Sequence, residues 1–73
     1  LVNYDKVQPG DTLLLDVQYD NQHLHPGCLD GDEVLVTGKD IDDDEGDWPM
    51  IEVRHVVSGE NLRLGPGWFR RPH

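Results

Sequence analysis

An all-β fold is predicted for this chain of 73 residues by three observations. Short stretches alternate apolar and polar side chains with a period of two, turns rich in Pro, Gly, Asn and Asp separate them, and no segment repeats its apolar residues at helical spacing. The length leaves room for one domain, residues 1–73. A domain of this size buries only about 60% of the surface its unfolded chain exposes, so the core must be thin. Three or four strands would leave open edges. Curling the sheet into a small, strongly bent barrel of four to five antiparallel strands removes them.

Val7-Gln8-Pro9-Gly10-Asp11 reads as a turn. The first strand follows over Thr12–Tyr19: Leu13, Leu15, Val17 and Tyr19 share one face, while Leu14 breaks the otherwise polar opposite face. Asp20 to Asp32 is a 13-residue connection without helical period, long for a compact domain. Glu33–Ile41 is the second strand, with Val34 and Val36 on one face and a bulge or bend expected at Gly38. Asp42–Asp47 is an acidic connection, and Met50–Val57 is a third strand with Ile51, Val53, His55 and Val57 aligned. Ser58-Gly59-Glu60-Asn61 is a tight turn before a short strand at Leu62–Leu64, and Gly65-Pro66-Gly67 ends that strand. Trp68-Phe69 then makes a single turn folded back on the core, with Tyr19, Trp68 and Phe69 as the expected large buried side chains.

The segment Val7-x-Pro-Gly-Asp11-Thr-Leu-Leu-Leu, the long loop, and Gly31-Asp32-Glu33-Val34-Leu35-Val36 resemble the small SH3-like barrel modules of bacterial and phage proteins, KOW-type modules included. The likeness covers nearly the whole chain and lies in strand order and turn chemistry. It implies an SH3-like barrel closed through a one-turn helix; an OB-like barrel is the alternative fold. The basic loop of KOW modules has no counterpart, since His23 and His25 stand there beside acids.

Charge separates along the chain. Residues 1–47 hold 13 acids and 2 bases, net −11; residues 48–73 hold 2 acids and 4 bases, net +2; the whole carries −9. Such a balance disfavours direct nucleic-acid binding and anionic membranes. It fits either solubility or a partner with a basic surface. The basic end, Arg70-Arg71, either neutralises acids of its own domain or meets an acidic group elsewhere. No apolar stretch approaches the roughly 18 residues of a membrane span, no basic-then-apolar leader is evident, and Cys28 alone cannot form an internal disulfide. A cytoplasmic setting is the expectation.

The densest feature is Asp40-Ile41-Asp42-Asp43-Asp44-Glu45-Gly46-Asp47. It departs from a calcium loop, because Glu45 stands where Gly is needed and Ile51 where a bidentate Glu is needed. It remains either a solvated hairpin tip or a docking loop for a basic protein. His23, His25 and Cys28 would need a distant fourth ligand such as His55 or His73 for zinc, so no metal or cofactor is expected. Cys28 reads as a small buried hydrophobe. Trp48 is either an interface anchor or packing beneath the acidic loop.

No catalytic set is apparent, and the chain is not expected to be an enzyme. The expected function is a small acidic protein-interaction module, a monomer that binds a larger protein with a basic surface. Its expected binding residues are Asp40, Asp42, Asp43, Asp44, Glu45, Asp47 and Trp48, with Leu14 as a second apolar anchor. This suits a phage or bacterial regulator or inhibitor that occupies a nucleic-acid-binding surface as a charge mimic of DNA. The alternative is a structural component of a virion or multi-subunit complex, joined through an apolar edge.

Overall fold

Five antiparallel strands carry the chain: β1 (Thr12–Leu15), β2 (Glu33–Asp42), β3 (Trp48–His55), β4 (Asn61–Leu64) and β5 (Phe69–Arg70). The structure is a computed structural model that describes residues 2–17, 27–43 and 46–72. The strands form one sheet in the order β4-β3-β2-β1-β5. Single-turn 3-10 helices stand at Tyr4–Lys6 and Pro66–Trp68. The all-β class is therefore observed, but the closed barrel expected from the sequence is not. Among the described residues the sheet stays open between β4 and β5, because β5 is only two residues long and spends its pairing on β1.

Alternation dictates the core. Leu13 and Leu15 of β1, Val34 and Val36 of β2, Ile51 and Val53 of β3, Leu64 of β4 and Phe69 of β5 all turn to one side and are buried. Val2, Val7 and Cys28 complete this cluster from outside the strands, and Tyr4, Val17, Leu62 and Trp68 pack against its margin. Full burial of an aliphatic or aromatic side chain is worth about 1.5–3 kcal/mol, so this thin set carries most of the favourable term. Phe69 is the largest wholly buried side chain. Trp68 is only half-buried, because it belongs to the 3-10 turn and not to the strand. Tyr19, also expected in the core, lies outside the described residues.

Strand limits move for identifiable reasons. β1 ends at Leu15, short of the expected Tyr19. Asp16 N–H donates instead to the Trp68 carbonyl at 2.8 Å, and Val17 N–H donates to Asp30 Oδ1 at 3.0 Å. β2 pairs with β3 along nearly its whole length, and the register slips between Val36 and Gly38, where Thr37 forms the bulge that Gly38 suggested. Thr37 Oγ1 donates to the Glu52 carbonyl there at 3.2 Å. The same pairing carries the hairpin further than the sequence indicated: Trp48 and Pro49 are strand residues opposite Asp42 and Ile41. At the other end β3 stops at His55, because Gly59 N–H donates to the His55 carbonyl and His55 N–H to the Glu60 carbonyl, both at 2.8 Å. Val57, expected on the buried face, is therefore 78% exposed in the turn. At Gly31, φ is +86°, the left-handed region that side-chain-bearing residues avoid. Its N–H donates to the Leu15 carbonyl at 2.8 Å, which turns the chain into β2.

Candidate functional site

The far end of the β2–β3 hairpin gathers the acidic run. Asp40 and Asp42 are strand residues and not loop residues, since they pair with Met50 and Trp48. Their side chains meet Arg63 of β4, whose Nη2 donates to Asp40 Oδ2 at 2.9 Å and whose Nη1 lies 3.6 Å from Asp42 Oδ2. The Asp40 carboxyl is held below its ordinary value, first by Arg63 and then by the Ile41 N–H. Tyr4 anchors the hairpin from its other face: its hydroxyl donates to the Asp40 carbonyl at 3.1 Å, and Lys39 Nζ donates to the Tyr4 carbonyl and sits 4.7 Å from the ring centroid.

Several described residues of the hairpin end are exposed. Trp48 is 61% exposed and Ile41 is 46% exposed. Asp43 and Asp47 are exposed as well, while Asp44 and Glu45 lie outside the described residues. Leu14 is not part of this surface. It sits half-buried on β1 opposite Glu33, at the start of β2, whereas Trp48 pairs at its end. Arg63 and Tyr4 are the members of the hairpin end that sequence reasoning missed. Their approach depends on cross-strand register and on the fold-back of the first segment, neither of which any local pattern records.

The two C-terminal arginines, Arg70 and Arg71, also meet acids of the N-terminal half. Arg70 Nη1 donates to Asp30 Oδ1 at 2.8 Å and to Asp16 Oδ1 at 3.3 Å; Arg71 Nη1 donates to Asp11 Oδ2 at 3.4 Å and its Nη2 to the Lys6 carbonyl at 3.2 Å. The basic tail thus neutralises its own domain.

A second polar cluster was not anticipated. His55 is wholly buried between Asp32 and Ser58: Nε2 lies 2.8 Å from Asp32 Oδ2, and Nδ1 lies 2.7 Å from Ser58 Oγ. Ser58 N–H also approaches Nδ1 at 3.3 Å, an arrangement that suits a ring N–H on Nε2 facing Asp32. The Asp32 carboxyl is lowered first by the Leu29 N–H and then by His55. The order acid–imidazole–hydroxyl has the outline of a nucleophile relay. The backbone donors around the hydroxyl are, however, consumed internally: Glu60 N–H by Ser58 Oγ, Gly59 N–H by the His55 carbonyl, Ser58 N–H by the ring. The cluster ties the β3–β4 turn to the residues preceding β2.

Cys28 is buried in the core. His23, His25 and His73, weighed with it as zinc ligands, lie outside the described residues. Among the described residues no group of three or more His, Cys, Asp or Glu side chains is disposed to hold a metal, and no helix is long and apolar enough to cross a membrane. No protein-family model, curated protein or solved structure matches the chain.

Proposed function

We propose that the chain is an SH3-like module that works by binding another protein, with the acidic end of the β2–β3 hairpin as its binding surface. The strand order β4-β3-β2-β1-β5, the long connection between β1 and β2, and the 3-10 turn leading into β5 support the SH3-like reading. The partner is a larger protein with a basic surface, of the kind that otherwise holds nucleic acid.

The observation that carries this reading is Trp48, 61% exposed on a strand end beside Asp42 and flanked by Asp43 and Asp47. A large aromatic held on a strand presents contact area without the entropy loss of ordering a loop. In sequence the run 40–47 holds six carboxylates, and among the described residues the guanidinium of Arg63 meets two of them. Negative potential therefore persists at the tip, where it speeds encounter with a basic face and rejects acidic ones. The regulator or DNA-mimic role follows if the basic face so covered is a nucleic-acid site.

The test pairs Trp48→Ala with neutralisation of Asp43, Asp44, Glu45 and Asp47 to their amides. Proteins retained by the immobilised chain are eluted with a salt gradient, and the affinity of each is then measured by calorimetry against the wild type and both variants. Trp48→Ala should weaken binding by about 2 kcal/mol or more, as for a central aromatic anchor. The amide variant should weaken it and flatten its salt dependence. Binding that ignores both changes would refute this assignment.

A further inference from the structure

The outer face of the sheet carries a second surface, assembled by register alone. Cross-strand partners share a face. One row across the sheet runs Arg70, Leu14, Glu33, Val56, the last placed by its N–H donating to the Glu33 carbonyl at 3.2 Å. The neighbouring row runs Thr12, Leu35, Arg54, Asn61. Leu35 is 40% exposed and Val56 56% exposed, and Leu14 lies half-buried beside them. Central strands thus show solvent Leu14, Leu35 and Val56 at neighbouring positions, interspersed with the acid Glu33 and the base Arg54.

Those two charges differ from their neighbours. Arg63, Arg70 and Arg71 all meet carboxylates of the chain, but neither the Arg54 nor the Glu33 side chain has a hydrogen bond or ion pair among the described residues. They stand on adjacent strands in successive rows without closing on each other. A two-fold axis along the Leu35–Val56 diagonal would bring Arg54 of each copy onto Glu33 of the other and lay Leu35 and Val56 of the two copies together, with Leu14 at the margin. Such an isologous contact needs a surface that complements itself, and one unpaired charge of each sign beside exposed aliphatic side chains has that property.

We propose that this face, Leu14, Glu33, Leu35, Arg54 and Val56, is a homodimer interface in which the sheets of two copies stack face to face with reciprocal Arg54–Glu33 pairs. It is separate from the hairpin end and replaces the monomer expected from the sequence. A face of five side chains per copy is smaller than the roughly 800 Å² per partner of a standard interface, so the dimer is weak. Each copy also carries −9. Added salt screens that mutual repulsion and the Arg54–Glu33 pairs alike, so the dimer is read from concentration and charge reversal and the hairpin contact from binding of another protein; the two readings therefore fail independently.

Sedimentation velocity of the full chain, from micromolar to millimolar concentration, should show a reversible monomer–dimer equilibrium. Glu33→Arg and Arg54→Glu, each alone, juxtapose like charges twice per dimer and should lower the association constant by roughly tenfold or more. An equimolar mixture of the two variants should restore it, because reversed chain then faces reversed chain with both pairs intact. Amide shifts of the wild-type chain that move with concentration, confined to residues 12–14, 33–35 and 54–56, would read the same contact without any substitution. A monomer at every concentration, a dimer indifferent to both reversals, or shifts centred on the hairpin end or on a sheet edge would each overturn the proposal.

Discussion

Arg70 Nη1 lies 2.8 Å from Asp30 Oδ1, and the two residues are 40 positions apart in the chain. Asp30 Oδ1 also accepts the Val17 N–H, and Arg70 reaches Asp16 as well. A two-residue strand, β5, is thereby fastened to both ends of the connection between β1 and β2. The Asp30 carboxyl is held below its ordinary value of 3.8, first by Arg70 and then by the Val17 N–H. A carboxyl whose folded value is depressed contributes stability that is present above its unfolded value and is lost as pH falls through the folded one. The stability difference between wild type and Asp30→Asn should be full above about pH 5 and close as pH falls below about 4. Urea midpoints across that range measure it; a difference that does not change with pH would count against the clasp.

Phe69 is the largest of the fully buried side chains and stands on β5. Its truncation to Ala should cost about 3–5 kcal/mol, transfer and cavity together. Total stability in a domain of this size lies near the low end of about 5–15 kcal/mol. The Phe69→Ala chain should be largely unfolded at room temperature, with its near-ultraviolet circular dichroism lost. A cooperative melt close to that of the wild type would show that the core closes without β5.

His55 bridges Asp32 and Ser58 from a wholly buried position. Replacing it with Leu keeps the bulk and removes both bonds, which should cost about 1–3 kcal/mol. Amide exchange should rise locally at Gly59 and Glu60, whose N–H groups are held in the same turn. Faster exchange spread evenly over the chain, with no excess at the turn, would assign the loss to packing.

Gly31 and Gly65 make a matched pair of tests. Gly31 has φ +86°, where a Cβ is disfavoured, and Gly31→Ala should cost about 1–2 kcal/mol. Gly65 has φ −68°, and an added Cβ would come no closer than 3.9 Å to the Pro49 carbonyl. Gly65→Ala should stay within about 0.5 kcal/mol of wild type. Thermal melts of both read the contrast, and equal losses would contradict the left-handed turn into β2.

Arg63 meets the carboxylates of both Asp40 and Asp42. Arg63→Gln should lower Tm, and salt should recover part of the loss by screening the repulsion left behind. A loss that salt does not touch would mean that Arg63 acts through packing of its aliphatic stem.

Much of the fold was written in local patterns. The period-two alternation of Leu13 and Leu15, of Val34 and Val36, and of Ile51, Val53 and His55 assigns the inward face of each strand, because successive side chains must point to opposite sides of a sheet. Gly38 marked the bulge for an equally local reason. The exposed Trp48 was legible only as an alternative, since its exposure depends on how far the β2–β3 pairing runs. Arg63 and Tyr4 beside the acidic run, Asp32 and Ser58 around His55, and Leu14 beside Leu35 could not be read at all. Each of these meetings is set by strand register and by the order in which strands lie side by side. Composition established the acidic character of this protein and alternation its β-class. Which charges are cancelled, which remain exposed, and whether the sheet closes were settled only in three dimensions, because hydrogen-bonded ladders join residues that no sequence spacing relates.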